Sequence, residues 1–271
     1  MKNIKELNAK IVSVGAWGKD FHQWNDLSLL LQNQQPDIEL QKSPKPEIIP
    51  ANERRRAPLP VRLAVETSWQ AAQQSGFDAK DLKCVFVSAL GDTQLTDYMC
   101  KVLTGENKQL SPTKFHNSVH NAAAGYWTIS TGCMKAANSV AAYEESVSLT
   151  LLEALTQIAV EQEPILLSFY DAPVSPVLKS LLKNESAFSV SLVLAPLSSD
   201  IKGINLSAET KPSPTTWPEI ELNDMLANLY QTTPTAKILS LLKTLASAEK
   251  NEQQTIDMPL SAESSIKLTI G

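Results

Sequence analysis

Apolar runs of strand length alternate with stretches of helical spacing along the chain, which predicts an α/β fold. Ala9–Trp17 (AKIVSVGAW) reads as a first strand ending at Gly15. Trp24–Leu31 reads as a short helix with Asp26 as its cap. Asn33–Pro50 is polar and carries Pro36, Pro44, Pro46 and Pro50, so it reads as a surface loop. An amphipathic helix then runs through Trp69 and Ala72 to Gly76, and Lys83–Ala89 (KCVFVSA) is a buried strand. Gln94–Leu103 is a helix with Leu95, Met99, Val102 and Leu103 on one face, ended by Thr104 and Gly105. Further on, Glu163–Tyr170 and Phe188–Ala195 read as strands, with a short helix in Ala172–Leu182 between them. The tail has a Pro/Ser/Thr-rich linker around Lys211–Trp217. It continues with helical segments over Pro218–Tyr230 and Pro234–Ala248, a polar run Glu249–Thr255 and a last strand Ser265–Ile270.

The stretch Ser111–Glu153 organises the rest. Ala122, Ala123, Ala124 and Gly125 stand together, so a neighbouring backbone could come close there. Asn138–Ala142 (NSVAA) is short and uncharged, which suits a strand covered on both faces. Val147, Leu151, Ala154, Leu155 and Ile158 then recur at helical spacing. A strand running straight into a helix is where many α/β folds hold a nucleophile, since a helix N-terminus stabilises negative charge. Here that turn carries Glu144 and Glu145, and on physical grounds plain helix capping is the simpler account of them.

Composition narrows the partners. The chain is 43% hydrophobic and 20% charged, with a net charge of -5, ordinary for a globular protein and unlike a nucleic-acid binder. No apolar run reaches membrane-spanning length, and the start MKNIKELNAKIVSV has no secretory pattern. Cys84, Cys100 and Cys133 sit in apolar contexts and read as reduced thiols of a cytoplasmic protein. No Cys-x-x-Cys pair or His cluster marks a metal site, and no Gly-x-Ser-x-Gly elbow occurs. His22 reads as a surface residue; His116 and His120 would share a face if helical.

Several blocks together resemble the β-ketoacyl synthases of the thiolase superfamily. They are Ser111-Pro112, then His120-Asn121-Ala122-Ala123-Ala124-Gly125-Tyr126-Trp127-Thr128-Ile129, then Thr131-Gly132, where Ala136-Ala137 replace the family's Pro-Ser. Glu53-Arg54-Arg55-Arg56, the helix ending Gly76-Phe77-Asp78, and Leu90-Gly91-Asp92 fall where the family has its arginine-rich element, its "A-G-x-D" ending and its glycine-rich turn. The likeness runs to about Pro196. It implies a thiolase-like layered fold (α-β-α), with 1–196 a ketosynthase-like N-terminal half and 197–271 a reduced C-terminal remnant packed on it.

The resemblance places the catalytic cysteine position on Glu144, and neither histidine motif of the family's second half is present. A carboxylate forms no acyl thioester. The implied protein is a non-catalytic subunit like the chain-length factors of polyketide and aryl polyene systems. It would need no cofactor, and would meet acyl carrier protein through a full-length ketosynthase partner. Leu95, Met99, Cys100, Leu103, Lys114 and Phe115 would line or stop the acyl tunnel. Asn138, Ser139, Val140, Ala141, Ala142, His116 and Asn117 would form the subunit interface. Two alternatives stand beside this reading: a residual enzyme, such as a malonyl decarboxylase using Glu144 or His120, and a stand-alone module binding acyl chains or carrier protein.

Overall fold

The computed structural model describes residues 6–247 and 253–271. In chain order the elements are β1 (Leu7–Gly18), α1 (Trp24–Leu31), α2 (Ala51–Arg54), α3 (Leu59–Ser75), β2 (Lys83–Val87), α4 (Thr93–Thr104), α5 (Pro112–His116) and α6 (Ala122–Thr131). Then come β3 (Ala137–Val140), α7 (Ser146–Glu161), β4 (Ile165–Asp171), β5 (Phe188–Ala195), β6 (Ile204–Lys211), α8 (Asp224–Thr232), α9 (Leu239–Ser247), β7 (Gln254–Ser261) and β8 (Ser264–Ile270). Among the described residues eight strands form one sheet in the order β3-β2-β4-β5-β1-β6-β8-β7. β2 pairs in parallel with β3 and β4, and the other pairings are antiparallel.

Side chains alternate across this sheet and build two cores. Val85, Val87, Leu167 and Phe169 face a core shared with α7 and α9, while Cys84, Phe86, Leu166 and Tyr170 face one shared with α3 and α6. The result is the expected α-β-α sandwich. Strands β4 and β5 are buried along their whole length, as strands covered on both faces must be. The strands β6, β8 and β7 extend this same sheet beyond β1, so 197–271 shares the fold's backbone pairing rather than standing apart.

Several local expectations change. The first strand does not end at Gly15 but runs on to Gly18. Gly15 has a packing reason instead: a Cβ there would stand 2.1 Å from the Thr67 carbonyl oxygen, so only glycine lets α3 lie this close to β1. Asp26 is not the cap of α1; it sits in the first turn and accepts from the His22 backbone N–H at 2.9 Å. His22 is half-buried, its ring stacked on Trp17. The Ala/Gly stretch is helix α6, whose Ala123 and Ala124 pack in the core, and Gly125 has open space around it.

Asn138–Ala142 is not covered on both faces: the strand is Ala137–Val140, it forms the sheet edge, and it is half-exposed. The segment Ala172–Leu182 holds only a 3-10 turn, Pro176–Leu178. Helix α8 starts later than its spacing predicts, capped by Asn223, whose side chain accepts from Leu226 N–H at 2.9 Å. Pro234–Ile238 is a 3-10 turn leading into α9; Ala248 and residues 249–252 of the polar run lie outside the described residues, as does the start 1–5. The sequence pattern predicts neither β6 nor β7.

Candidate functional site

The carboxyl ends of β1, β2, β3 and β4 point to one side of the sheet, the place where open α/β sheets gather their chemistry. Three structures meet there: the turn 88–92 leading into α4, the turn Tyr143–Glu145 leading into α7, and Asp171 at the end of β4.

Helix α4 is started by Asp92, whose carboxylate accepts from Leu95 N–H at 2.9 Å. Burial raises the pKa of Asp92, opposed by its backbone hydrogen bonds to Leu95 and Gln94. Only Thr93 and Leu95 of this helix are buried. Met99 is half-buried, while Cys100 and Leu103 face outward. Helix α5 leans on α4 through Lys114, whose Nζ lies 3.5 Å from the Tyr98 ring centroid. Phe115 is 61% exposed and His116 is exposed as well. Of the tunnel candidates, then, Leu95 alone points inward. It joins Asn117, His120, Leu90, Val61 and Tyr170 around a cleft of about 210 Å³.

Asn117 is 6% exposed; its Nδ2 donates to the Arg56 carbonyl at 3.4 Å, and its Oδ1 has no partner among the described residues. His116 and His120 share no helix: His116 ends α5, and His120 sits in the turn before α6, donating through Nε2 to the Ser88 carbonyl at 3.1 Å.

The turn after β3 has the geometry of a strained strand-to-helix junction. Tyr143 takes a φ of 46°, the left-handed region that a bulky L-residue rarely enters. Neither Glu144 nor Glu145 caps α7 with its side chain. Ser146 Oγ instead accepts from Ala142 N–H at 2.9 Å. The Lys237 ammonium, brought by the turn before α9, stands 4.5 Å from the Tyr230 ring centroid. Burial lowers the pKa of Lys237, and the negative charge of Glu144 works against that lowering. The position implied for the nucleophile is therefore a carboxylate whose charge acts on Lys237 of the C-terminal segment. The three cysteines are elsewhere: Cys84 and Cys133 are buried, with the Cys84 thiol pushed up to about 12 by burial, and Cys100 is exposed on α4.

Edge strand β3 offers unpaired backbone groups, and Ser139 Oγ is enclosed without a partner among the described residues. Ile129, on the α6 helix that packs against β3, is 80% exposed and Met134, just before the strand, is 95% exposed; elsewhere Val119 and Leu103 are exposed too. Ala141 is exposed and Ala142 half-buried in the turn that follows. The sequence gives no warning of Asp171, Asn184, Thr233 or Thr235, which form a buried polar cluster behind α4; their partners are far away along the chain.

The family model for Beta-ketoacyl synthase, N-terminal domain, matches residues 22–257, well beyond Pro196. Solved structures with the same fold include the ketosynthase (ApeO) in complex with its chain length factor (ApeC) from Xenorhabdus doucetiae. That match has 19% identity and a TM-score of 0.71, and covers 97% of this chain and 99% of the other. The AntDE:AntF complex, a type II PKS acyl-carrier protein with its ketosynthase, matches at 12% identity and a TM-score of 0.72, covering 98% and 99% of the two chains. The ishigamide ketosynthase/chain length factor matches at 10% identity and a TM-score of 0.69, covering 97% and 99%. No curated protein matches the chain.

Proposed function

The chain belongs to the β-ketoacyl synthase family, and from that premise we propose that it is a non-catalytic subunit of the chain-length-factor kind. It pairs with a full-length ketosynthase in the cytoplasm and shapes that partner's acyl tunnel, in polyketide or aryl polyene biosynthesis. Acyl carrier protein reaches the pair through the partner. In this reading 1–196 is the ketosynthase-like half and 197–271 a reduced remnant of the second half.

One observation carries the reading: β3 is an open edge, and helix α6 and the turn that flank it expose apolar side chains, Ile129 at 80% and Met134 at 95%. An uncovered edge with apolar neighbours is a surface built to be covered. Glu144 at the implied nucleophile position, a carboxylate whose charge acts on Lys237, supports a subunit without condensing chemistry.

The test is the product-length distribution of the reconstituted pair, measured by mass spectrometry. Met99→Ala and Phe115→Ala lengthen the products, and Cys100→Phe shortens them, because filling or emptying a few methylenes costs about 1–3 kcal/mol. Unchanged products from all three variants in an intact complex would remove α4 and α5 from the tunnel. Glu144→Cys gains no condensing activity in the chain alone; extension of an acyl group by that variant without a partner would contradict the non-catalytic role.

A further inference from the structure

Asp171 is fully buried, and the groups that stabilise its carboxylate include no cation. A buried charge of this kind is tolerated only when its acceptor positions are filled. They are filled from two directions. Ser88 Oγ donates at 2.9 Å and Leu90 N–H at 3.2 Å, both from the turn that leads into α4. Thr235 Oγ1 donates at 2.8 Å and Thr235 N–H at 3.3 Å, both from the C-terminal segment. Ser88 Oγ in turn accepts from Gly91 N–H at 2.9 Å, so the carboxylate also orders the turn through Ser88, whose carbonyl is held from the other side by His120.

A second buried tie runs parallel to the first. Thr233 Oγ1 donates to Asn184 Oδ1 at 2.9 Å, and Asn184 Nδ2 donates to the Ala172 carbonyl at 2.9 Å. From the same segment, Ser175 N–H donates to Thr93 Oγ1 at 2.9 Å and Ser175 Oγ to Asp97 Oδ2 at 3.0 Å. The helix at the end of these ties has little apolar anchorage, since only Thr93 and Leu95 of α4 are buried. Polar contacts, not packing, fix where α4 stands.

We propose that Asp171 is the positioning residue of helix α4, clamping the turn 88–92 to Thr235, so that the C-terminal segment sets the place of the rim helix. Its bearing on product length rests on the reading of α4 as a tunnel wall; its bearing on α4 itself does not.

The experiment is hydrogen–deuterium exchange of the full chain, read by peptide, for Asp171→Asn, Thr235→Val and Thr235→Ser. The Asn amide cannot accept from all the donors that the carboxylate serves, and Val removes a single hydroxyl. Exchange over residues 90–104 speeds up by at least about tenfold in the first two variants, the size of one lost hydrogen bond to a charged acceptor. In Thr235→Ser it stays as in the parent chain, and β1 and β5 exchange at parent rates in all three. Parent-like exchange over 90–104 in both Asp171→Asn and Thr235→Val overturns the proposal, as does acceleration of all segments together. The same variants in the reconstituted pair broaden the product distribution. Faster exchange with unchanged products would keep Asp171 as the positioning residue and discard α4 as the tunnel wall.

Discussion

Strands β5 and β3 belong to one sheet but live by different rules. β5 (FSVSLVLA) is buried from end to end, paired on both sides by β1 and β4 and covered on both faces by helices. β3 (ANSV) has one neighbour, β2, and half-exposed side chains. The centre completes its own core, so its residues answer to packing alone. The rim leaves backbone and apolar surface open, so its residues answer to something outside the chain. A domain can hold both because the centre carries the stability and the rim is free to specialise.

The largest effect that separates the two regions comes from truncating each. Phe169→Ala in β4, fully buried, lowers the unfolding free energy by about 3–5 kcal/mol in urea denaturation. Ile129→Ser at the rim changes the unfolding of the isolated chain by less than about 0.5 kcal/mol, while it weakens the complex with the partner. If the rim variant destabilised the chain alone as much as the core variant, the contrast would collapse.

A smaller effect tests the junction of the two regions by pH. Burial pushes the Asp171 carboxyl up to about 6, against the pull of its hydrogen bonds from Thr235, Ser88 and Leu90. A carboxyl raised in the folded state is favoured when protonated. Its contribution to stability is therefore full below the unfolded pKa near 4 and is lost as pH rises through about 6. Between pH 4 and 7 the parent chain should lose about 2 kcal/mol relative to Asp171→Asn. Urea titrations of both chains across that range check it; a constant difference would mean that the carboxyl is not perturbed.

Smaller still is the effect at the turn after β3. Glu144→Gln removes the charge acting on Lys237, so the Lys237 pKa falls further, while unfolding shifts by less than about 0.5 kcal/mol. A ¹⁵N-detected titration of the lysine checks the direction; an unmoved Lys237 would show that Glu144 and Lys237 are independent.

The same contrast governs what the sequence makes legible. The centre is written plainly: Phe188–Ala195 is an apolar run whose bounds match β5, and Gly76, with a φ of 77°, ends α3 where the pattern stops. The added strands are written faintly. β6 (INLSAETK) turns only Leu206 and Ala208 fully inward, and β7 alternates Ile256, Met258 and Leu260 but carries Pro259 and follows a polar run. At the site, spacing places helix α4 but not its setting. An apolar face of Leu95, Met99, Val102 and Leu103 predicts a core contact, and the structure buries only Leu95 of the four. Asp171 carries no local signal at all, because its donors lie 83 residues upstream at Ser88 and 64 downstream at Thr235.

The central claim is that the rim is an interface with a ketosynthase, and sedimentation of the co-expressed pair tests it most directly. The account predicts a stable one-to-one complex that survives dilution to nanomolar concentration, with an interface above the roughly 2,000 Å² of permanent assemblies. Charging the rim by Ile129→Asp and Met134→Asp dissolves it while each chain stays folded. A chain that sediments as a monodisperse monomer at micromolar concentration, alone and beside the ketosynthase alike, would contradict the account.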